Sequence, residues 1–433
     1  MHGLYTLFSL VLTLTIVGPS TAAYAHNVGF LTMGVRLYQN HMNGPESIEI
    51  QGQKNNTAIQ ESSKEVEGNT ASKPEAYMPN AGIAEVEHTA MESHGTLDVA
   101  IWYPTNKMPQ NITIGRWQLQ AARNANPVEG RFPLVIISHD AGEMRLHHHS
   151  LANFLAQNGF VVACVNHPYD CNTDMSAMFT LQQLVHRPQH IQHLVDALMQ
   201  SPKTKAMIDA QHIAFIGFGV GATTGLSLAG GVPSPDAWPN YCMEAEPTDM
   251  YCSTWAKKRL DSMSLALADA LHIPENMEQK AKPQSKQNGK QDAQQASPIY
   301  PKMPELRDER IKSFTLITPA YGMFFPAHAL RSITAPILLI QAEYDSINQK
   351  PFHADALRVN LPTTPEFFHL KEAGHFSLRD TPNLAPRHEN LFGIGDEENT
   401  ASLEPTLSAE QKKATQEYVQ ERILQFIRSS LSL

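Results

Sequence analysis

Residues Ile213 to Ile216 are apolar, Gly217-Phe218-Gly219-Val220-Gly221 follows them, and Ala222 to Ala229 carry a small-residue helical pattern. A buried strand, a tight glycine turn and a helix packed back on the strand are what this order predicts. A turn that reads G-x-S-x-G holds its serine on a strained corner with the hydroxyl exposed as a nucleophile. Both outer glycines of that frame are present, at Gly217 and Gly221. Its centre is Gly219, which has no side chain and cannot form an acyl-enzyme. A serine there would adopt a strained conformation, at an expected cost of roughly 1 kcal/mol or more.

The rest of the chain supports a sheet around that turn. Thr96–Pro104, Pro133–Ser138, Phe160–Val165, Ser313–Thr318, Pro336–Gln341 and Glu366–Leu370 read as strands. Leu146–Asn158, Pro188–Met199 and Ser408–Ser429 read as helices, the last opened by Ser408 as N-cap with Gln411 three residues on. Strands alternating with helices imply a mostly parallel, doubly wound sheet. Val232 to Arg310 interrupts that order after the turn helix. This insertion holds a helix at about Thr254–Leu271 and a polar linker at Lys280–Gln295, and either caps the site or runs over the surface.

Leu4 to Val17 is apolar and Ala23-Tyr24-Ala25 offers a small-x-small cleavage site, so residues 1–25 are expected to be a signal peptide. Residues 26–95 are then an N-terminal extension with a flexible polar segment at Asn43–Ala81, and 96–433 the folded domain. Export to a periplasm or the exterior follows. No later stretch has the roughly 18 apolar residues of a membrane helix. A formal charge of −10 argues against nucleic acid or anionic membrane as partner. In an oxidising compartment Cys242 and Cys252, close together in the insertion, are the expected disulfide. Cys164 lies in a strand pattern and reads as core.

Ester hydrolysis needs a nucleophile, a base and an acid that orients the base. Asp345 ends the strand that runs through Gln341, and His375 follows the next one, in Gly374-His375-Phe376. Both lie past the carboxyl ends of strands, in the order nucleophile, acid, histidine.

The segment Phe132-Pro133-Leu134-Val135-Ile136-Ile137-Ser138-His139, with "AIWYP", "NGFVVACVNHP", "HRPQHI" and "APILLIQAEYD", resembles the α/β-hydrolase superfamily. Within it the resemblance is to the platelet-activating-factor acetylhydrolase and dienelactone-hydrolase-like group, over about residues 96–235 and 308–380. It implies an α/β-hydrolase fold, no cofactor, and hydrolysis of a small acyl ester or lipid-like molecule. Asp345 would be the triad acid, His375 the base, and the N–H groups of Ala141 and Val220 the oxyanion hole. Two positions depart from that pattern: Gly219 replaces the nucleophile, and Asp140 replaces the glycine after the oxyanion-strand histidine. A carboxylate beside the hole would repel the developing oxyanion. The expectation is an impaired hydrolase, or else a binder that keeps the pocket without the chemistry.

Four rival patterns carry less. Thr223 sits in a G-x-T-x-G frame but should lie inside the helix, and Ser138 reads as a buried hydroxyl. Gly217-x-Gly219-x-x-Ala222 imitates a dinucleotide fingerprint, yet no strand precedes Asp236, where the ribose-binding acid would stand. The triplet His147-His148-His149 and the row His186, His190, His193 offer imidazoles, but no cysteine or paired carboxylate completes a zinc set.

Overall fold

The computed structural model describes residues 27–36, 50–51, 96–260, 300–382 and 407–433. The expected signal peptide, the linker at 280–295 and the polar segment at 43–81 apart from Ile50–Gln51 lie outside these residues.

Eleven strands form one sheet: β1 Asn27–Arg36, β2 Ile50–Gln51, β3 Thr96–Thr105, β4 Gln110–Ile114, β5 Trp117–Arg123, β6 Phe132–Ser138, β7 Val161–Val165, β8 Ile208–Phe218, β9 Ile311–Ile317, β10 Ile337–Tyr344 and β11 Glu366–Gly374. Their spatial order is β11-β10-β9-β8-β6-β7-β3-β1-β5-β4, with β2 paired to β1. The run from β11 to β7 is parallel throughout, and β3 joins it antiparallel. The central strands are apolar without alternation because both faces are covered. Leu134, Ile136 and Phe215 point into one core, and Val135, Ile137 and Ala214 into the other.

Helices α1 His149–Gln157, α2 Leu181–Gln200, α3 Pro202–Met207, α4 Val220–Leu228 and α5 Trp238–Glu244 follow in chain order. α2 begins seven residues before the expected start at Pro188. Thr180 caps it by accepting from the Gln183 N–H, and the proline is carried inside the helix. The closing helix, Ala409–Leu431, has the capping box: Gln411 N–H donates to Ser408 Oγ and Ser408 N–H to Gln411 Oε1. Its Val419, Ile423 and Ile427, four residues apart, are buried under the sheet with α1. Among the described residues no helix is long and apolar enough to cross a membrane.

Two features go beyond the expectation, and a third decides between its alternatives and carries the expected disulfide. The domain boundary at 96 is too late, because β1 pairs along its whole length with β3, from Asn27↔Thr105 to Arg36↔Thr96. Residues 110–123 form a hairpin, β4–β5, turning at Gly115, whose φ is +56°. The inward residues of β5 are Trp117, Leu119 and Ala121, a period-2 pattern. The insertion also folds inward. Trp238, Tyr241 and Tyr251 are buried in the larger core, and Cys242 and Cys252 are bonded at 2.00 Å. Residues 254–260 are helical, and the remainder of the expected Thr254–Leu271 helix is outside the described residues.

Candidate active site

Strand β8 ends at Phe218 and α4 starts at Val220, so Gly219 alone makes the corner. Its φ of +51° and ψ of −112° suit glycine, which has no Cβ to clash. The flanking Gly221 lets the helix start touch strand β6: a Cβ there would lie 2.2 Å from the Ser138 carbonyl oxygen.

Register decides what faces Gly219. β6 and β8 are neighbours, with Ser138 opposite Gly217. Two residues past that pair on each strand stand Asp140 and Gly219. A Cβ built on Gly219 would lie 2.0 Å from Asp140 Cγ and 2.0 Å from Oδ1. The carboxylate of Asp140 thus fills the volume that a side chain at position 219 would occupy. Both its oxygens are engaged. Oδ1 accepts from the N–H of Ala141 and the N–H of Val220, each at 2.7 Å. Oδ2 lies 2.7 Å from His375 Nε2. His375 Nδ1 lies 2.9 Å from Asp345 Oδ1, which also accepts from the N–H groups of Ile347 and Asn348.

The sequence reading of Asp140 is therefore corrected. Its carboxylate does not stand beside the pair of converging N–H groups as a repelling neighbour. It is their acceptor. Two positive dipoles and an imidazole ring balance its charge. With carboxylates at both ring nitrogens, His375 is a double donor, the imidazolium form. Burial works against that charge, but Asp345 and Asp140 outweigh it and hold the His375 pKa well above its ordinary value.

The surrounding shell sets Asp140 in place. Arg187 is buried on α2. Its guanidinium donates to the carbonyls of His139 (2.6 Å) and Asp140 (3.2 Å) and pairs with Asp170 at 2.5 Å. Gln183 donates to Asp170 and accepts from the Tyr321 hydroxyl. Glu143 accepts from the Asp140 N–H and pairs with His148 at 3.0 Å. From the insertion, the Tyr251 hydroxyl donates to Asn348 Oδ1 at 2.6 Å, so this segment covers the acid side of the site. Sequence reasoning missed Asp140 as a participant, along with Arg187 and Tyr251. The one available signal was the pairing of two departures from the resembled pattern, glycine at 219 and aspartate at 140.

The family model for platelet-activating factor acetylhydrolase, isoform II, matches residues 103–193. A ferulic acid esterase from Streptomyces cinnamoneus is similar in structure, with a TM-score of 0.51 at 15% identity. The match covers 96% of this chain and 93% of that one. This is an α/β-hydrolase fold. No curated protein sequence matches the chain.

In this fold the other candidates lie apart from the trio. Thr223 is inside α4 and donates to the Ala320 carbonyl. Ser138 Oγ meets His167 Nε2 at 2.8 Å in the interior. Asp236 belongs to a single 3-10 turn at Pro235–Ala237. The histidine row divides: His190 stacks on His167, while His193 bonds the Gln189 carbonyl of its own helix. Among the described residues no group of three or more His, Cys, Asp or Glu could hold a metal ion.

Several of these histidines are buried neutral, which predicts acid sensitivity. Burial lowers the pKa of His139 and His167 well below the ordinary value, and that of His147 and His353 to about 4. A depressed histidine pKa stabilises the fold above the unfolded value and loses that stability as pH falls toward the folded one. His147 and His353 should each lose about 3 kcal/mol between pH 6.5 and 4. The raised His375 works in the opposite window. Its contribution is complete below pH 6.5 and is lost as pH rises through its elevated value. The thermal midpoint should fall steeply from pH 6.5 to 4.5. A flat profile there would show that these rings are not buried neutral.

Proposed function

We propose that this chain is an exported α/β-hydrolase, related to enzymes of small acyl esters, in which acyl-serine chemistry has been lost. The carrying observation is the double replacement at one place. Gly219 offers no hydroxyl, and Asp140 Oδ1 fills the two N–H groups that an acyl substrate's carbonyl oxygen would need. An ester placed there has neither a serine to attack it nor a hole to stabilise its tetrahedral intermediate. The apolar run at Leu4–Val17 and the Cys242–Cys252 bridge support export. A small-molecule ester or lipid-like ligand is the class suggested by the family match and the esterase-like architecture.

A second reading, a binder with no chemistry, is favoured by one observation: every oxygen of Asp140 already has a partner. The esterase assay tests the shared claim. Purified protein should take up no fluorophosphonate and hydrolyse p-nitrophenyl acetate no faster than His375→Ala. Saturable turnover that depends on His375, with a probe adduct on a hydroxyl residue, would overturn the proposal.

A further inference from the structure

We propose that Asp140 is itself a nucleophile: its Oδ2 displaces an anionic leaving group from a saturated carbon of a small alkyl electrophile, and the resulting Asp140 ester is hydrolysed by water. The inference rests on the reading that no acyl-serine forms here, and it names the chemistry the altered site retains.

The geometry selects the electrophile. Attack at a carbonyl carbon pushes charge onto the substrate's oxygen, which needs the hole at once. That hole is already taken by Asp140 Oδ1, 2.7 Å from each N–H. Displacement at a saturated carbon puts no charge on a carbonyl oxygen in its first step; the leaving group carries the electron pair away. The hole is needed only in the second step, when water adds to Asp140 Cγ and charge builds on Oδ1, the atom it already holds. Burial points the same way. The Asp140 side chain keeps 10% exposure, against 2% for His375 and 6% for Asp345.

The steps balance. Oδ2 forms the new C–O bond with a lone pair not used toward His375, the carbon–leaving-group bond breaks, and the anion departs. Asp140 becomes a neutral ester. His375 then faces one carboxylate instead of two, its affinity for a proton drops, and it releases that proton to solvent. Neutral His375 Nε2 takes a proton from water as the hydroxide adds to Cγ. The tetrahedral intermediate collapses, expels the alkoxide through Oδ2, and the alkoxide takes the proton from His375. Asp140 returns as a carboxylate and its remaining proton recharges His375. The sum is alkyl–X plus water giving alcohol, X⁻ and one proton. Arg187 is the positioning residue, since it holds the carbonyls on either side of the Asp140 Cα.

The test uses the whole chain with 1-bromobutane and 4-nitrobenzyl bromide as probes. Wild-type protein in heavy-oxygen water, limited to one turnover, should place the heavy oxygen in the Asp140 peptide and leave the alcohol unlabelled. His375→Gln should slow bromide release by about 100-fold or more and accumulate an alkyl adduct mapped to Asp140. The near-isosteric Asp140→Asn, checked for folding by its thermal midpoint, should release bromide only at the background rate. Heavy oxygen found in the alcohol would mean direct attack by water and would overturn the proposal. So would bromide release equal to background with no adduct from either probe: the carboxylate would then be a plug, while the loss of acyl-serine chemistry would stand. A fluorophosphonate adduct, by contrast, would sink the underlying reading.

Discussion

Gly219→Ser should destabilise the fold by about 3 kcal/mol or more, well above the roughly 1 kcal/mol that backbone strain alone suggests. The positive φ is the smaller part of the cost. The new Cβ would sit 2.0 Å from Asp140 Cγ, and real atoms do not share that distance. Either the turn shifts, with Gly219 N–H tied to the Ile317 carbonyl and Ala320 N–H to the Gly219 carbonyl, or Asp140 leaves its three partners. Asp140→Gly alone should cost about 1–3 kcal/mol, since it strips an acceptor from two buried N–H groups and from His375. The double variant Gly219→Ser with Asp140→Gly removes the collision and restores a side chain beside His375. Denaturant unfolding of all four proteins should therefore show a favourable coupling of about 2 kcal/mol. Additive costs would mean that the two positions do not compete for one volume. The double variant is also the one expected to take up fluorophosphonate, because only there do a hydroxyl and a vacant hole coexist.

Arg187→Met should cost about 3–5 kcal/mol, the loss typical of breaking one side of a buried ion pair. Arg187 is 1% exposed and Asp170 is equally enclosed. Burial pushes the Asp170 pKa up, and Arg187 pulls it back. Without the guanidinium, Asp170 must take a proton or remain an uncompensated charge. The carbonyls of His139 and Asp140 also lose their donors, so strand β6 is released just where it presents Asp140. Arg187→Lys keeps a charge but not the planar fork that spans Asp170 and both carbonyls, and should recover only part of the loss. Pairing Arg187→Met with Asp170→Asn should recover more, because no buried charge remains. A single Arg187→Met protein within about 1 kcal/mol of wild type would contradict the assigned role of this cluster.

Much of the architecture was legible locally. The apolar runs of β6, β7, β9 and β10, the Ser408–Gln411 capping box and the glycine turn at 217–221 are short-range patterns. They follow from burial on both sheet faces, from capping and from close backbone approach. Asp345 and His375 were legible as strand-end residues in a fixed order, and the structure brings them to 2.9 Å. β1 was not legible, because its pairing partner β3 lies beyond a long polar segment and nothing within Asn27–Arg36 announces a ten-residue register. Nor was the inward course of the insertion, which depends on Tyr251 reaching Asn348, 97 residues away.

The decisive case is Asp140. The sequence by itself determined that the turn has no nucleophile, since that is a matter of one residue at one position. It also determined that an unexpected carboxylate ends the neighbouring strand. Only the tertiary structure decided that these are one event. Asp140 lies 80 residues from Val220 and 235 from His375, and no local pattern links them. The parallel pairing of β6 with β8, two residues short of the site, sets the two strand ends side by side. The empty volume at Gly219 then lets the carboxylate turn into the space between two N–H groups and an imidazole. There two N–H donors and the imidazole balance its charge.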